Sequence, residues 1–258
     1  MKIFSEYLKV GKEKIAVKYF NQPKFLKEDD TIVLLHEGLG SIEMWKDWPK
    51  KLASRSKKNL VLYSRIGMGK SSEEKIKKKS NFLEREALYY LPKVVEVYCK
   101  QEPILLGHSD GASISIIYAG NKLPCKALIL EAPHVIVEKI TIEEIKKLKK
   151  NWERNNLKEI FKKYHNDPER VFSSWSDVWL SRSFADWNIT GLLKKISSPL
   201  LLIQGKNDQY GTLEQINLIE KYSKSLVKKY IIDNCRHSPH AEKPKLVIDC
   251  IEDFIQYI

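Results

Sequence analysis

Short unbroken apolar runs recur along the chain, separated by longer stretches in which apolar residues return every three or four positions. Thr31-Ile32-Val33-Leu34-Leu35, Leu60-Val61-Leu62-Tyr63, Ile104-Leu105-Leu106, Cys125 to Leu130 and Leu200-Leu201-Leu202-Ile203 are such runs. They have the pattern of strands covered on both faces, which only a sheet sandwiched between helices requires. Lys229 to Ile232 reads as a further strand, and Glu6 to Val10 with Ile15 to Phe20 as a hairpin turning at Gly11-Lys12. Helical spacing runs over Trp45 to Leu52, over Ala112 to Ala119, and over Phe82 to Cys99 through Leu83, Ala87, Leu91, Val94, Val95 and Tyr98. Pro92 interrupts the last of these and predicts a kink or a break into two helices. Further helices are expected from about Leu213 and about Pro244. Alternating buried strands and helices predict an α/β fold with a mostly parallel sheet flanked by helices.

The rhythm breaks between Pro133 and about Ser197, where no buried strand is visible. Thr141 with Glu144 forms a capping-box pattern ahead of a stripe of Ile142, Ile145, Leu148 and Trp152. Leu157, Ile160, Phe161 and Tyr164 make a second stripe. Asp167-Pro168 reads as an N-cap followed by proline at the first helical position. A helical insert of about sixty residues is longer than a plain crossover needs. Of the six tryptophans, Trp152, Trp175, Trp179 and Trp187 lie in it, as expected of a small layer packing over something. The expected organisation is a core of residues 1–134 and 198–258, with a helical cap of residues 135–197 inserted after the sixth strand.

A chain of 258 residues with 43% hydrophobic content can bury one large core. Its net charge of +12 comes mostly from lysine, clustered at Lys77-Lys78-Lys79, Lys146-Lys147 and Lys149-Lys150. Interleaved glutamates and the lack of basic-aromatic alternation argue against nucleic acid as a partner and for a solvated lysine-rich surface. The first residues carry early charges and no leader-like apolar block, and no run is long enough for membrane insertion. A soluble cytoplasmic protein is expected. Cys99, Cys125, Cys235 and Cys250 are scattered without a C-x-x-C pair, so neither a zinc site nor a redox motif is implied, and no metal or cofactor is expected.

The densest chemical signal is Gly107-His108-Ser109-Asp110-Gly111, a G-x-S-x-G between a predicted strand and a predicted helix. A serine there sits on a tight turn whose flanking residues must be nearly free of side chain, with its hydroxyl exposed at the carboxyl edge of the sheet. Serine becomes nucleophilic when a histidine, held by a carboxylate, takes its proton. Asp208, just past the strand ending at Ile203, and His237, just past the next strand, supply both in the order serine, acid, histidine. Glu131 competes with Asp208, and His240 with His237, because each lies at the same sheet edge or on the same loop.

On these residues the chain resembles the α/β-hydrolase fold superfamily, of the cap-bearing, esterase-like kind, over nearly its whole length. The stretch His237-Ser238-Pro239-His240-Ala241-Glu242-Lys243-Pro244 is similar to the family's histidine loop, with Arg236 where glycine often precedes the histidine. Arg65-Ile66-Gly67-Met68-Gly69-Lys70-Ser71 ends like a phosphate loop, but the first glycine of that motif would fall at Ser64. It resembles instead the family's Arg-Gly-x-Gly-x-Ser loop. The resemblance implies Ser109 as nucleophile, His237 as base and Asp208 as orienting acid. His36-Glu37-Gly38-Leu39-Gly40 is similar to the family's His-Gly-x-x-Gly loop, which implies an oxyanion hole made by the backbone N–H groups of Gly38 and Asp110. Glu37, in place of glycine, either faces the pocket or braces the loop. With His134 and Trp179 it is a candidate pocket residue. His36 is expected to brace its loop and His108 to turn aside into packing. His165 is expected on a polar helix end without a function, and the Asp110 side chain as a charge at a helix N-terminus. The implied activity is a serine hydrolase acting on an ester or similar acyl bond of a small substrate. Thioester or carbon–carbon bond hydrolysis, acyl transfer and non-catalytic ligand binding remain as alternatives.

Overall fold

The structure is a computed structural model that describes residues 1–23, 30–74, 78–152 and 156–258. Lys77, at the head of one lysine cluster, lies outside the described residues. Eight strands form one sheet: β1 Lys2–Val10, β2 Glu13–Asn21, β3 Thr31–Leu35, β4 Asn59–Tyr63, β5 Ile104–His108, β6 Ala127–Glu131, β7 Leu200–Gly205 and β8 Val227–Ile232. Their order is β1-β2-β4-β3-β5-β6-β7-β8. The hairpin β1–β2 and the β2–β4 pair are antiparallel, and every later pair is parallel. This is the predicted architecture.

The period-two geometry of a strand explains why the central runs are apolar throughout. Val33, Leu35, Val61, Tyr63, Leu105, Leu128 and Leu130 point into one buried cluster. Ile32, Leu34, Leu60, Leu62, Leu106, Ile129 and Leu201 point into another on the opposite face. Helices α1 Trp48–Ser56, α2 Phe82–Arg85, α3 Leu91–Tyr98 and α4 Asp110–Gly120 follow the first parallel strands. Between β6 and β7 lie α5 Lys139–Trp152, α6 Leu157–Phe161, α7 Pro168–Trp179 and α8 Thr190–Leu193. Helices α9 Glu214–Tyr222, α10 Pro239–Glu242 and α11 Pro244–Tyr257 complete the chain. None of the described helices is long and apolar enough to cross a membrane. Trp152, Phe172, Trp175 and Trp179, from the segment between β6 and β7, join the same apolar cluster as α4 and one face of the sheet.

Four local expectations change. The stretch from Trp45 is not one helix: a 3-10 turn covers Ile42–Trp45, Lys46 takes φ 53°, and α1 starts only at Trp48. Before Pro92 the backbone widens into a π-type turn over Glu86–Tyr90, so the break falls ahead of the proline, which sits in the first turn of α3. Thr141 does not cap α5, which already begins at Lys139. Its hydroxyl donates instead to the carbonyl of Tyr210, 2.5 Å away, a partner far off in sequence. Ile136 and Asn188 form an isolated antiparallel bridge within a segment expected to be wholly helical. Asp167 does cap α7, accepting from the N–H of Arg170 at 3.0 Å.

The turn from β5 into α4 fixes the site. Ser109 adopts φ 56° and ψ −117°, a strained conformation for a residue with a side chain. It survives because its neighbours leave no room for any other path. A Cβ on Gly107 would lie 2.2 Å from the carbonyl oxygen of Gly111, and one on Gly111 would lie 2.1 Å from that of Leu35. Glycine at both positions lets β3, β5 and α4 close to backbone contact, and the serine is left at the sheet edge.

Candidate active site

Ser109, Asp208 and His237 lie on three different loops at the carboxyl edge of the sheet, after β5, β7 and β8. The structure brings them together. Ser109 Oγ is 2.9 Å from His237 Nε2, and His237 Nδ1 is 2.9 and 2.8 Å from the two oxygens of Asp208. The remaining lone pairs of that carboxylate are occupied. Oδ1 accepts from the N–H groups of Tyr210 at 2.8 Å and Gly211 at 3.2 Å, and Oδ2 accepts from Gln204 Nε2 at 2.8 Å. Burial alone would raise the Asp208 pKa, but the His237 ring and these donors hold it below the usual carboxylate range. A carboxylate so held presents Nδ1 of His237 with an acceptor. That places the ring proton on Nδ1 and leaves Nε2 able to take one from Ser109.

The two competing side chains form a separate pair. Glu131 Oε1 accepts from the backbone N–H of His240 at 2.5 Å, and His240 Nδ1 is 2.9 Å from the same oxygen. The His240 ring packs against Trp45, at a centroid distance of 4.6 Å, and Trp48, at 5.4 Å. Neither residue approaches Ser109 through a hydrogen bond, and Asp208 with His237 is the pair that does.

A cavity of about 250 Å³ opens over Ser109. The candidate pocket residues Glu37, His134 and Trp179 all line it, as do Gly38 and Asp110. Its apolar wall comes from Leu39 and Met44 on one side and from Leu148, Phe161, Trp175 and Trp179 on the other. The indole of Trp175 lies against the α-carbon of Gly38, where a Cβ would be 2.1 Å from Nε1. His134 is buried 5.7 Å from the His237 ring and 5.4 Å from Trp179. Burial first, and the His237 ring second, push its pKa down to about 3, so it stays neutral.

Glu37 lines the cavity, one of the two roles weighed for it, and its carboxylate also faces a neighbouring histidine. Its Oε2 is 3.6 Å from His108 Nδ1. Burial alone would raise the Glu37 pKa, but His108 and then His36 hold it well below the usual range. Burial would conversely lower His108, yet Glu37 and Glu131 raise it to about 9. His108 packs against Trp45 and His240, as expected, and is also tied to the histidine loop, its Nε2 donating to the carbonyl of His237 at 2.8 Å. His165, expected on a polar helix end, is also buried. Its Nδ1 accepts from the Gly69 N–H at 2.9 Å and its Nε2 donates to the Leu39 carbonyl at 2.9 Å, tying the two loops together. His36 braces its own loop as expected. Asp110 opens α4 but is buried, not a solvated dipole charge. Burial raises its pKa, and Arg65, 3.7 Å from Oδ2, opposes the shift.

His108, Glu131 and His240 place one nitrogen or oxygen each within 4.8 Å of one another. In the structure these groups bond within the protein, Glu131 to the N–H and Nδ1 of His240 and His108 to the His237 carbonyl.

A family model described as serine aminopeptidase, S33, matches residues 27–244. No curated protein sequence matches the chain. Among solved structures, a bacterial membrane phospholipase A superposes with a TM-score of 0.80 at 16% identity, covering 98% of this chain and 86% of that one. An esterase from Exiguobacterium antarcticum superposes with a TM-score of 0.77 at 16% identity over 98% and 100% of the two chains. A serine hydrolase involved in carbazole degradation gives 0.76 at 16% identity over the whole of both. At these identities the likeness establishes the fold. Taken with the sheet order, the match over residues 27–244 makes the chain a member of the α/β-hydrolase superfamily and of its serine aminopeptidase S33 family of hydrolases.

Proposed function

We propose that the protein is a serine hydrolase that cleaves a carboxylic ester, or a similar acyl bond, of a small substrate through an acyl-enzyme. The observation that carries this reading is the 2.9 Å approach of His237 Nε2 to Ser109 Oγ, with Asp208 on the opposite ring nitrogen. Ser109 Oγ attacks the carbonyl carbon and its proton passes to His237 Nε2. Asp208 stabilises the imidazolium that forms. Negative charge gathers on the former carbonyl oxygen, where the backbone N–H groups of Gly38 and Asp110 receive it. The tetrahedral intermediate collapses, and the leaving group departs with the proton from His237. Water, deprotonated by the same ring, then attacks the acyl carbon and releases Ser109.

The helices between β6 and β7 act as a cap whose Leu148, Phe161, Trp175 and Trp179 enclose the acyl chain. Apolar walls around one polar reacting centre suit a small acyl group of low charge. All four cysteines are free thiols in the structure, which fits a reducing cytoplasm. The test is a series of chromogenic esters of increasing acyl length, run on the wild type and on Ser109→Ala. Hydrolysis that disappears in the variant supports the reading. A rate that survives the substitution removes this serine from the mechanism.

A further inference from the structure

Arg65 has no role in the chemistry just described, yet it is among the most buried charges of the protein, with a side chain only 4% exposed. It reaches both sides of the proposed oxyanion hole. On one side its Nη2 donates to the carbonyl of Glu37 at 2.5 Å. On the other its Nη1 is 3.7 Å from Asp110 Oδ2. Its backbone N–H donates to His36 Nε2 at 3.1 Å, which leaves the proton of that neutral ring on Nδ1. From there it donates to the same Glu37 carbonyl at 2.8 Å. Gly40 N–H supplies a third bond to that oxygen at 3.0 Å.

The peptide that carries the Glu37 carbonyl also carries the Gly38 N–H. It is planar and trans, so the two groups point in opposite directions. Three donors, one of them a guanidinium, fix the carbonyl towards the protein interior and so fix the N–H the other way. A carbonyl that accepts from a cation also polarises its own peptide and strengthens the N–H as a donor. At the far end of the guanidinium, Asp110 contributes the second proposed N–H while carrying a buried carboxyl on the same residue. An uncompensated negative charge there would oppose the developing oxyanion. The cation beside it removes that opposition.

We propose that Arg65 is a positioning residue for the oxyanion hole: its guanidinium orients and polarises the Glu37–Gly38 peptide and neutralises Asp110, so that both backbone donors meet the transition state. This rests on the acyl-enzyme reading of Ser109. It differs from a merely structural ion pair in one measurable respect. A structural role affects how much protein folds, whereas an oxyanion role affects transition-state binding in each folded molecule.

The experiment compares wild type, Arg65→Lys and Arg65→Ala with the same chromogenic esters and with phenylboronic acid. The boronic acid mimics the transition state: a bond forms between Ser109 Oγ and boron, the Oγ proton passes to His237, and boron becomes tetrahedral and anionic. Thermal melts and active-site titration with a fluorophosphonate correct every rate for folded, reactive protein. The expected result for Arg65→Ala is a fall in kcat on the order of 10²-fold, the size of effect seen when an oxyanion donor is lost. KM should stay within about threefold, and boronate affinity should weaken in parallel with kcat. Arg65→Lys keeps the charge but not the fork and should fall between the two. It also serves if the alanine variant does not fold. Guanidinium ion added at sub-denaturing concentration should restore part of the alanine variant's rate. Unchanged kcat and boronate affinity in either folded variant overturn the proposal, as does a loss confined to KM. Wild type that neither reacts with the fluorophosphonate nor hydrolyses any ester overturns the Ser109 reading itself, and this one with it. Reactive wild type with indifferent Arg65 variants overturns only this one.

Discussion

Asp208→Asn changes one atom and tests the proposed division of labour most finely. In the native site Oδ1 accepts from two backbone N–H groups, at 2.8 and 3.2 Å, so an asparagine keeps its carbonyl oxygen there. Its NH₂ then takes the place of Oδ2, 2.8 Å from His237 Nδ1 and 2.8 Å from Gln204 Nε2. Two consequences follow. The amide favours the ring tautomer with an unprotonated Nδ1, which moves the ring proton to Nε2, where it faces Ser109 and cannot accept another. The amide is also neutral and cannot stabilise an imidazolium. The same exchange in a serine–histidine–aspartate site lowers kcat by about 10⁴-fold, equivalent to about 5 kcal/mol at roughly 1.4 kcal/mol per tenfold. Stability should fall much less. The donor now meets a donor on Gln204, and flipping the Gln204 amide would turn its carbonyl on that of Gly211, 3.2 Å from Nε2. Either arrangement costs about 1–3 kcal/mol. Steady-state hydrolysis of a chromogenic ester, together with urea unfolding followed by circular dichroism, measures both. A folded Asp208→Asn protein whose kcat lies within about tenfold of wild type would refute the reasoning.

Gly111→Ala should lower the melting temperature and abolish ester hydrolysis together, because its Cβ would lie 2.1 Å from the Leu35 carbonyl oxygen and force β3 and α4 apart; a normal melt in scanning calorimetry would contradict the packing account. His240→Gln should leave kcat per folded molecule within about tenfold, whereas His237→Gln should remove nearly all of it, and active-site titration separates this from lost folding. Stability should also depend on pH through His108. Its pKa is raised from 6.5 to about 9, so its stabilisation is complete below about pH 6.5 and is lost as pH rises through about 9. At about 1.4 kcal/mol per unit this amounts to a few kcal/mol at most. Unfolding free energies measured from pH 6 to 9.5 should decline in wild type and stay flatter in His108→Gln; parallel curves would show that this imidazole does not carry the charge.

Much of the fold was legible because burial on both faces forces unbroken apolar runs on β3 to β7. The Ser109 turn was legible for a related reason: backbone contact at Gly107 and Gly111 admits only glycine, so a steric demand is written directly as residue type. Other features depend on partners distant in sequence. Thr141 and Glu144 satisfy the local rule for a cap, but the Tyr210 carbonyl competes for the threonine hydroxyl. Glu131 ends β6 and Asp208 lies just past β7 at the same sheet edge, and His237 and His240 follow β8 close together. Only the three-dimensional pairing of Glu131 with His240 separates them. His165 and Arg65 are polar residues whose burial comes from loops folding over them, and local periodicity carries no record of that.

The central claim is that the Ser109 hydroxyl is activated by His237 to attack an acyl carbon. The most direct measurement is intact-mass and peptide mass spectrometry of the protein after exposure to a fluorophosphonate. The account predicts a single adduct on the peptide containing Ser109, formed in wild type and absent from both Ser109→Ala and His237→Gln. An unmodified wild type, or an adduct on any other residue, would contradict it.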